Sequence, residues 1–133
     1  MTRRIKVGIM PLKEFQAYTR AIVTGKHKRK RGEPKIWFNS MASLAQVLSD
    51  QNRELLALIA QEEPESISEL ARLSHRSQSN LTRTLNKMEH YGLVRMKTGA
   101  QGKKKPSVPY TDILVDMSIH KRLPRKMFPR KQL

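Results

Sequence analysis

Seven side chains between Ser77 and Lys87 carry the most informative chemistry of the chain. Ser77, Gln78, Ser79, Thr82, Arg83, Asn86 and Lys87 can all form hydrogen bonds, and none is acidic. These residue types pair with base edges and phosphates, and the major groove of B-DNA admits the single helix that would carry them. Gln78, Thr82 and Arg83 are the best candidates for base contact. Cationic runs flank the segment: Lys26, Lys28, Arg29, Lys30 and Arg31 before it, Lys103, Lys104 and Lys105 after it, and Arg76 directly ahead of it. Cations in such runs neutralise phosphate whatever the base sequence, so they position a protein on the duplex without reading it.

Other chemistry finds no constellation. His27, His75, His90 and His120 are scattered without metal-ligand spacing, and with no cysteine the chain has neither disulfides nor a thiolate zinc site. Glu62, Glu63 and Glu65 have the look of a solvated helix end rather than of an acid-base pair. Gly99 and Gly102 are not followed by the Gly-Lys-Ser/Thr of a phosphate-binding loop. Trp37 and Phe38 sit in an apolar segment suited to a core, and most of the methionines fall at buried spacing. No catalytic residue, metal or cofactor is expected, and the protein is not expected to be an enzyme.

The charge is unevenly spread along the 133 residues. Residues 1–35 hold 11 basic and 2 acidic side chains, residues 36–97 hold 7 of each, and residues 98–133 hold 9 and 2, giving a formal net charge of +16. A neutral middle can fold as an ordinary core while cationic ends meet a polyanion. No apolar run reaches the roughly 18 residues that a membrane span requires, and no signal-peptide core opens the chain. A cytoplasmic protein without membrane contact is expected.

The elements that would position these residues follow from periodicity. Ile5, Val7 and Ile9 alternate with Lys6 and Gly8, predicting a short strand over Arg4 to Met10. Pro11 suits a helix start; Leu12, Phe15, Tyr18 and Ile22 recur at helical steps before Gly25, predicting an amphipathic helix of about 14 residues. Residues 26–35 cannot bury apolar area and are expected to be a mobile basic linker, with a second short strand over Lys35 to Phe38. Met41, Leu44, Ala45 and Leu48 mark the next helix. Ser49 or Asp50 caps another, which carries Leu55, Leu56, Leu58 and Ile59 and ends before Pro64.

Ser66 and Glu69 have capping-box spacing. Ile67, Leu70, Ala71, Leu81 and Leu85 would then fill the crossing of two helices joined by the polar turn Ser74 to Ser77. The second helix runs to Tyr91, with Leu81, Leu85 and Met88 buried and Gly92 as its left-handed terminator. Leu93 to Lys97 reads as a strand and Thr98 to Pro106 as a loop. Thr111, Ile113, Val115 and Met117 are expected on the return strand, giving a hairpin with a basic tip.

The stretch S-I-S-E-L-A-R-L-S-H-R-S-Q-S-N-L-T-R-T-L-N-K-M-E-H-Y-G-L-V-R-M (residues 66–96) resembles the helix-turn-helix and first wing strand of MarR-type winged-helix regulators. L-S-D-Q-N-R-E-L-L-A-L-I (residues 48–59) resembles their preceding helix. The whole arrangement is similar to small basic DNA-binding proteins that include antitoxins of toxin–antitoxin operons. The resemblance implies a groove-reading helix over Ser77 to Tyr91, with Gln78, Ser79, Thr82 and Arg83 facing the groove and Lys103 to Lys105 at a wing tip. It also implies a repressor of its own operon, with a cognate toxin as protein partner. The long flanking dimerisation helices of larger MarR proteins are missing here.

The fold expected is mainly α with a small β component, a winged helix-turn-helix core preceded by an N-terminal strand and amphipathic helix. Residues 1–25 form the candidate dimerisation element, with Leu12, Phe15, Tyr18 and Ile22 as its apolar face. Residues 26–35 are the linker, 36–117 the winged domain and 118–133 a flexible basic tail. The partners expected are double-stranded DNA and a second copy of the chain, because one helix reads few base pairs. Two alternatives use the same charge: an RNA- or ribosome-associated basic protein, and an interaction module that mainly neutralises a toxin.

Overall fold

Alternating residues form β1 (Arg4–Ile9), and the apolar steps after Pro11 form α1 (Leu12–Val23), in the computed structural model, which describes residues 3–119. There follow β2 (Ile36–Phe38), α2 (Met41–Val47), α3 (Asp50–Glu62), α4 (Ile67–Ser74), α5 (Gln78–Tyr91), β3 (Arg95–Thr98), β4 (Lys104–Ser107) and β5 (Asp112–Asp116). The architecture is mainly α with a small β component: a winged helix-turn-helix core preceded by a strand and an amphipathic helix. Two compact units form, one from residues 5–44 with 113–119 and the other from residues 3–4 with 45–112. Among the described residues no helix is long and apolar enough to cross a membrane. Residues 120–133, most of the expected tail, lie outside the described residues.

In the first unit β1 is the middle strand of three, ordered β2-β1-β5. β1 and β2 are parallel, with Val7 opposite Ile36, Gly8 opposite Trp37 and Ile9 opposite Phe38. Parallel neighbours need a crossover, which α1 and the loop after it supply. Gly8 is required by contact. A Cβ there would lie 2.6 Å from the Trp37 ring and 2.8 Å from Pro34, inside any tolerable separation. α1 contributes Ala17, Tyr18 and Ala21 to a cluster with Met10, against which Ile22 and Trp37 pack.

The segment expected to be a mobile linker is tied at several points. The His27 amide donates to the Ala21 carbonyl at 3.0 Å and the Lys35 amide to the Lys6 carbonyl at 3.0 Å. Pro34 is buried. Composition misleads here because it registers only the absence of apolar residues, whereas the anchors are backbone groups and one carboxylate.

In the second unit α3, α4 and α5 each start at a serine cap; the sequence predicts those at Ser49 and Ser66, and Ser77 adds a third. Ser49, Ser66 and Ser77 accept from the backbone amides of Asn52, Glu69 and Asn80 at 3.2, 3.0 and 3.2 Å. The Glu69 carboxylate reaches the amide of Glu65, one residue earlier than a capping box would place it. Glu63, His75 and Gly92 adopt left-handed conformations that end α3, α4 and α5. Leu55, Leu56, Ile59, Leu70, Leu81, Leu85 and Met88 are buried, and α4 packs on both α3 and α5. In α2 the buried residues are Leu44 and Val47, while Met41 and Ala45 are exposed.

The wing is shorter than expected. β3 pairs antiparallel with β4, from Arg95 opposite Ser107 to Thr98 opposite Lys104, around the turn Ala100–Gly102. The residues expected as the return strand, Thr111 to Met117, instead lead into β5, which joins β1. Pro109 offers no amide for a further rung. Beyond it the amides of Thr111 and Asp112 donate to the Arg3 carbonyl at 2.8 and 3.2 Å. Of the residues expected as one domain over 36–117, residues 36–44, with β2 and the start of α2, and residues 113–117 fall in the other unit.

Candidate nucleic-acid interface

α5 owes its orientation to the turn ahead of it. The left-handed His75 stops α4, and Ser77 starts α5 three residues after Ser74. Between them, Arg76 donates from one guanidinium nitrogen to Asn52 Oδ1 at 3.2 Å and from the other to the Gln51 carbonyl at 2.8 Å. Asn52 in turn donates through Nδ2 to the Val47 carbonyl at 3.0 Å. Arg76, expected as a phosphate contact, is thus engaged with the start of α3. A guanidinium aimed at two oxygens of its own chain has fewer donors left for a third.

At 100° per residue, the buried line of Leu81, Leu85 and Met88 leaves Ser79, Arg83, Asn86 and His90 on the opposite side of α5. Gln78, Asn80, Thr82 and Lys87 flank that line, and all eight are exposed. All seven residues singled out on this segment are accessible, with Ser79, Arg83 and Asn86 on the outer side of α5 and Gln78, Thr82 and Lys87 at its edges, where the acidic Glu89 is exposed in line with Gln78 and Thr82; Asn80 and His90 are exposed too, and the sequence reading does not include them. Their spacing carries the signal, since both follow the same helical steps. Thr82 donates to the Gln78 carbonyl at 2.8 Å and keeps an acceptor for a partner. Ser77 Oγ is shared between the Asn80 amide and Ser79 Oγ, at 3.2 and 3.3 Å. Among the described residues neither Arg83 nor Lys87 forms an ion pair.

The wing presents cations in a different order from that expected. Alternation puts Met96 and Pro106 on one face of the hairpin, with Pro106 buried, and Arg95 and Lys97 on the other, both exposed. Lys103 and Lys104 are exposed near the turn, whereas Lys105, directly opposite Lys97, places its ammonium 3.2 Å from Glu65 Oε1. Like charges opposite each other repel, and Glu65 relieves the pair. Arg95 and Lys97 escape a reading that judges the strand by its apolar members. The V-R-M-K alternation of residues 94–97 marks their face.

In the other unit, Lys26, Lys28, Arg29, Lys30 and Arg31 are exposed along the loop after α1. Of the expected dimer face, Leu12 and Phe15 remain exposed, whereas Tyr18 is only 2% exposed and Ile22 packs on the cluster beneath it. Tyr18 therefore holds the unit together and is not free for a second subunit. Burial, and then its bond to Glu33, raise its pKa above the ordinary tyrosine value.

Among the described residues no three His, Asp or Glu side chains gather where they could hold a metal ion. One family model, HVO_A0114, matches residues 47–115, from the end of α2 to within β5 and just over half of the chain. No curated protein matches significantly. Among solved structures, the crystal structure of a predicted DNA-binding transcriptional regulator from E. coli is similar, at 25% sequence identity and a TM-score of 0.44, over 51% of this chain and 72% of that one. The matched region of the family model takes in the helix-turn-helix, the wing and the salt bridge between Lys105 and Glu65, and the chain belongs to the HVO_A0114 family.

Proposed function

We propose that this protein is a sequence-reading, double-stranded-DNA-binding transcriptional repressor that works by binding and not by catalysis. The observation that carries the reading is the outer surface of α5, where Ser79, Arg83 and Asn86 line up on an exposed helix with Gln78, Thr82 and Lys87 beside them. Such a surface offers donors and acceptors for base edges, and the exposed Arg95, Lys97, Lys103 and Lys104 offer charge for phosphate. A helix of this size reads only a few base pairs, so we further propose that two copies bind a two-fold site. Exposed Leu12 and Phe15 on α1 support that proposal. The resemblance to antitoxin-type regulators adds the finer proposal that the protein's own operon is among its targets.

Selection of duplexes from a random pool tests the central claim. Wild-type protein should enrich a motif, and Arg83→Ala should flatten preference at one position of it, at a cost of about 1–3 kcal/mol on the chosen site. A pool that returns no motif rules out letter reading by α5. Genomic footprinting tests the choice of target.

A further inference from the structure

The loop after α1 displays five cations in six residues and yet has a defined shape. Lys26, Lys28, Arg29, Lys30 and Arg31 are all exposed, and there is no apolar side chain from Lys26 to Glu33. The loop is closed by one carboxylate. Glu33 Oε1 lies 3.0 Å from His27 Nε2 at the loop's start, and Glu33 Oε2 accepts from the Tyr18 hydroxyl of α1 at 3.0 Å. The Tyr18 and His27 rings pack with centroids 5.4 Å apart, and Arg29 lies beside the same hydroxyl. At the far end the Lys6 ammonium donates to the Gly32 carbonyl at 2.7 Å, the Glu33 amide donates to the Lys30 carbonyl at 3.1 Å, and Gly32 takes a positive φ of 94°.

Five like charges held this close repel one another, and an unanchored chain would spread them apart. Apart from the Lys30 carbonyl and Arg29, which lies beside the Tyr18 hydroxyl, the anchors fall on either side of residues 28–31, so the exposed side chains of Lys28, Lys30 and Arg31 are presented while the residues bracketing them are fixed. Holding them so removes the ordering cost that a flexible basic arm would meet on binding.

We propose that residues 26–32 form a preshaped binding loop for the phosphodiester backbone of duplex DNA, and that the acidic Glu33 is needed for that binding because it closes the loop. The choice of duplex DNA as the polyanion rests on the reading of α5 given above. Without apolar side chains the loop has no wedge for a lipid surface, and its charge density suits a ligand with one phosphate charge per about 1.7 Å.

The sign of one substitution separates this idea from simple charge counting. Glu33→Ala and Glu33→Gln both raise the net charge by one, so charge alone would tighten the binding of both to DNA. A closing role predicts that Glu33→Ala weakens binding at least threefold, whereas Glu33→Gln, which keeps hydrogen-bonding atoms at the same reach, stays within about twofold of wild type. The probe is a random-sequence DNA duplex, on which letter reading by α5 plays no part; Arg83→Ala, measured on a selected site, reports on that reading separately.

A fourfold variant, Lys28→Ala with Arg29→Ala, Lys30→Ala and Arg31→Ala, should lower the salt slope by roughly 0.9 for each phosphate that it no longer neutralises. In that background Glu33→Ala should have no further effect, which separates a loop role from a general loss of stability. Equal tightening by both Glu33 variants overturns the proposal. An unchanged salt slope in the fourfold variant overturns it too, as does a loop dependence seen only with structured RNA or with phosphatidylserine vesicles.

Discussion

Arg76 and Asn52 are joined by a hydrogen bond of 3.2 Å that links the turn of the helix-turn-helix to the first turn of α3. With the second bond to the Gln51 carbonyl at 2.8 Å, and Asn52 reaching on to the Val47 carbonyl, the end of α2, the start of α3 and the turn before α5 share one network. Charged hydrogen bonds of this kind are worth more than neutral ones. Arg76→Ala and Asn52→Ala should each lower unfolding stability by about 1–2 kcal/mol. The double variant should cost clearly less than the sum, which denaturant unfolding can measure; full additivity would mean that the two residues act separately.

Gly8→Ala should destabilise the protein by about 1–3 kcal/mol, because the added methyl would overlap the Trp37 ring and Pro34. Trp37 is the sole tryptophan, so its emission should shift along with the lowered melting temperature. A neutral substitution would show that β1 and Trp37 can separate without penalty.

Tyr110 donates to the Leu93 carbonyl at 2.5 Å, and its burial pushes the phenol pKa well above the ordinary tyrosine value. The folded state then holds a proton that the unfolded chain releases above about pH 10, so stability is fully present below that pH and falls as the pH rises further. Tyr110→Phe should cost about 1 kcal/mol at neutral pH by leaving the Leu93 carbonyl unpaired. It should also flatten the decline above about pH 10 relative to wild type. Parallel curves for the two proteins would contradict the assignment.

On the wing, Lys104→Ala should reduce the salt slope of DNA binding by about 0.9, whereas Lys105→Ala should reduce it less, because Glu65 already engages that ammonium. Adding Glu65→Gln should restore the full effect of Lys105. Identical slopes for the two lysine variants would show that the salt bridge opens on binding.

Replacing Leu12 and Phe15 together with Glu should convert a dimer to a monomer in sedimentation, since both are exposed on α1. A dimer that survives this change has its interface elsewhere.

The helices are legible in the sequence because their starts and stops are local. Ser49, Ser66, Ser77 and Gly92 act through neighbouring backbone groups, and Leu81, Leu85 and Met88 repeat at a spacing that needs no partner to recognise. The exposed surface of α5 follows from the same repeat. What escapes is non-local: the pairing of β5 with β1, about a hundred residues apart, and the tying of the basic loop to Tyr18 and Lys6. Alternation shows that residues 112–117 can be a strand, but not which strand receives them. Charge alone places Lys105 and Arg76 on phosphate, and their partners, Glu65 and Asn52, lie far away in sequence.

The position of β1 between β2 and β5 has a consequence for synthesis. The strand at the centre of its sheet leaves the ribosome before either neighbour, acquires β2 soon after, and waits for β5 until the roughly hundred residues between them have been made. At 5–20 residues per second that delay is roughly 5–20 s. During it one edge of β1 has no neighbour, whereas the helix-turn-helix and its wing, nearly continuous in sequence, can assemble while translation is still under way.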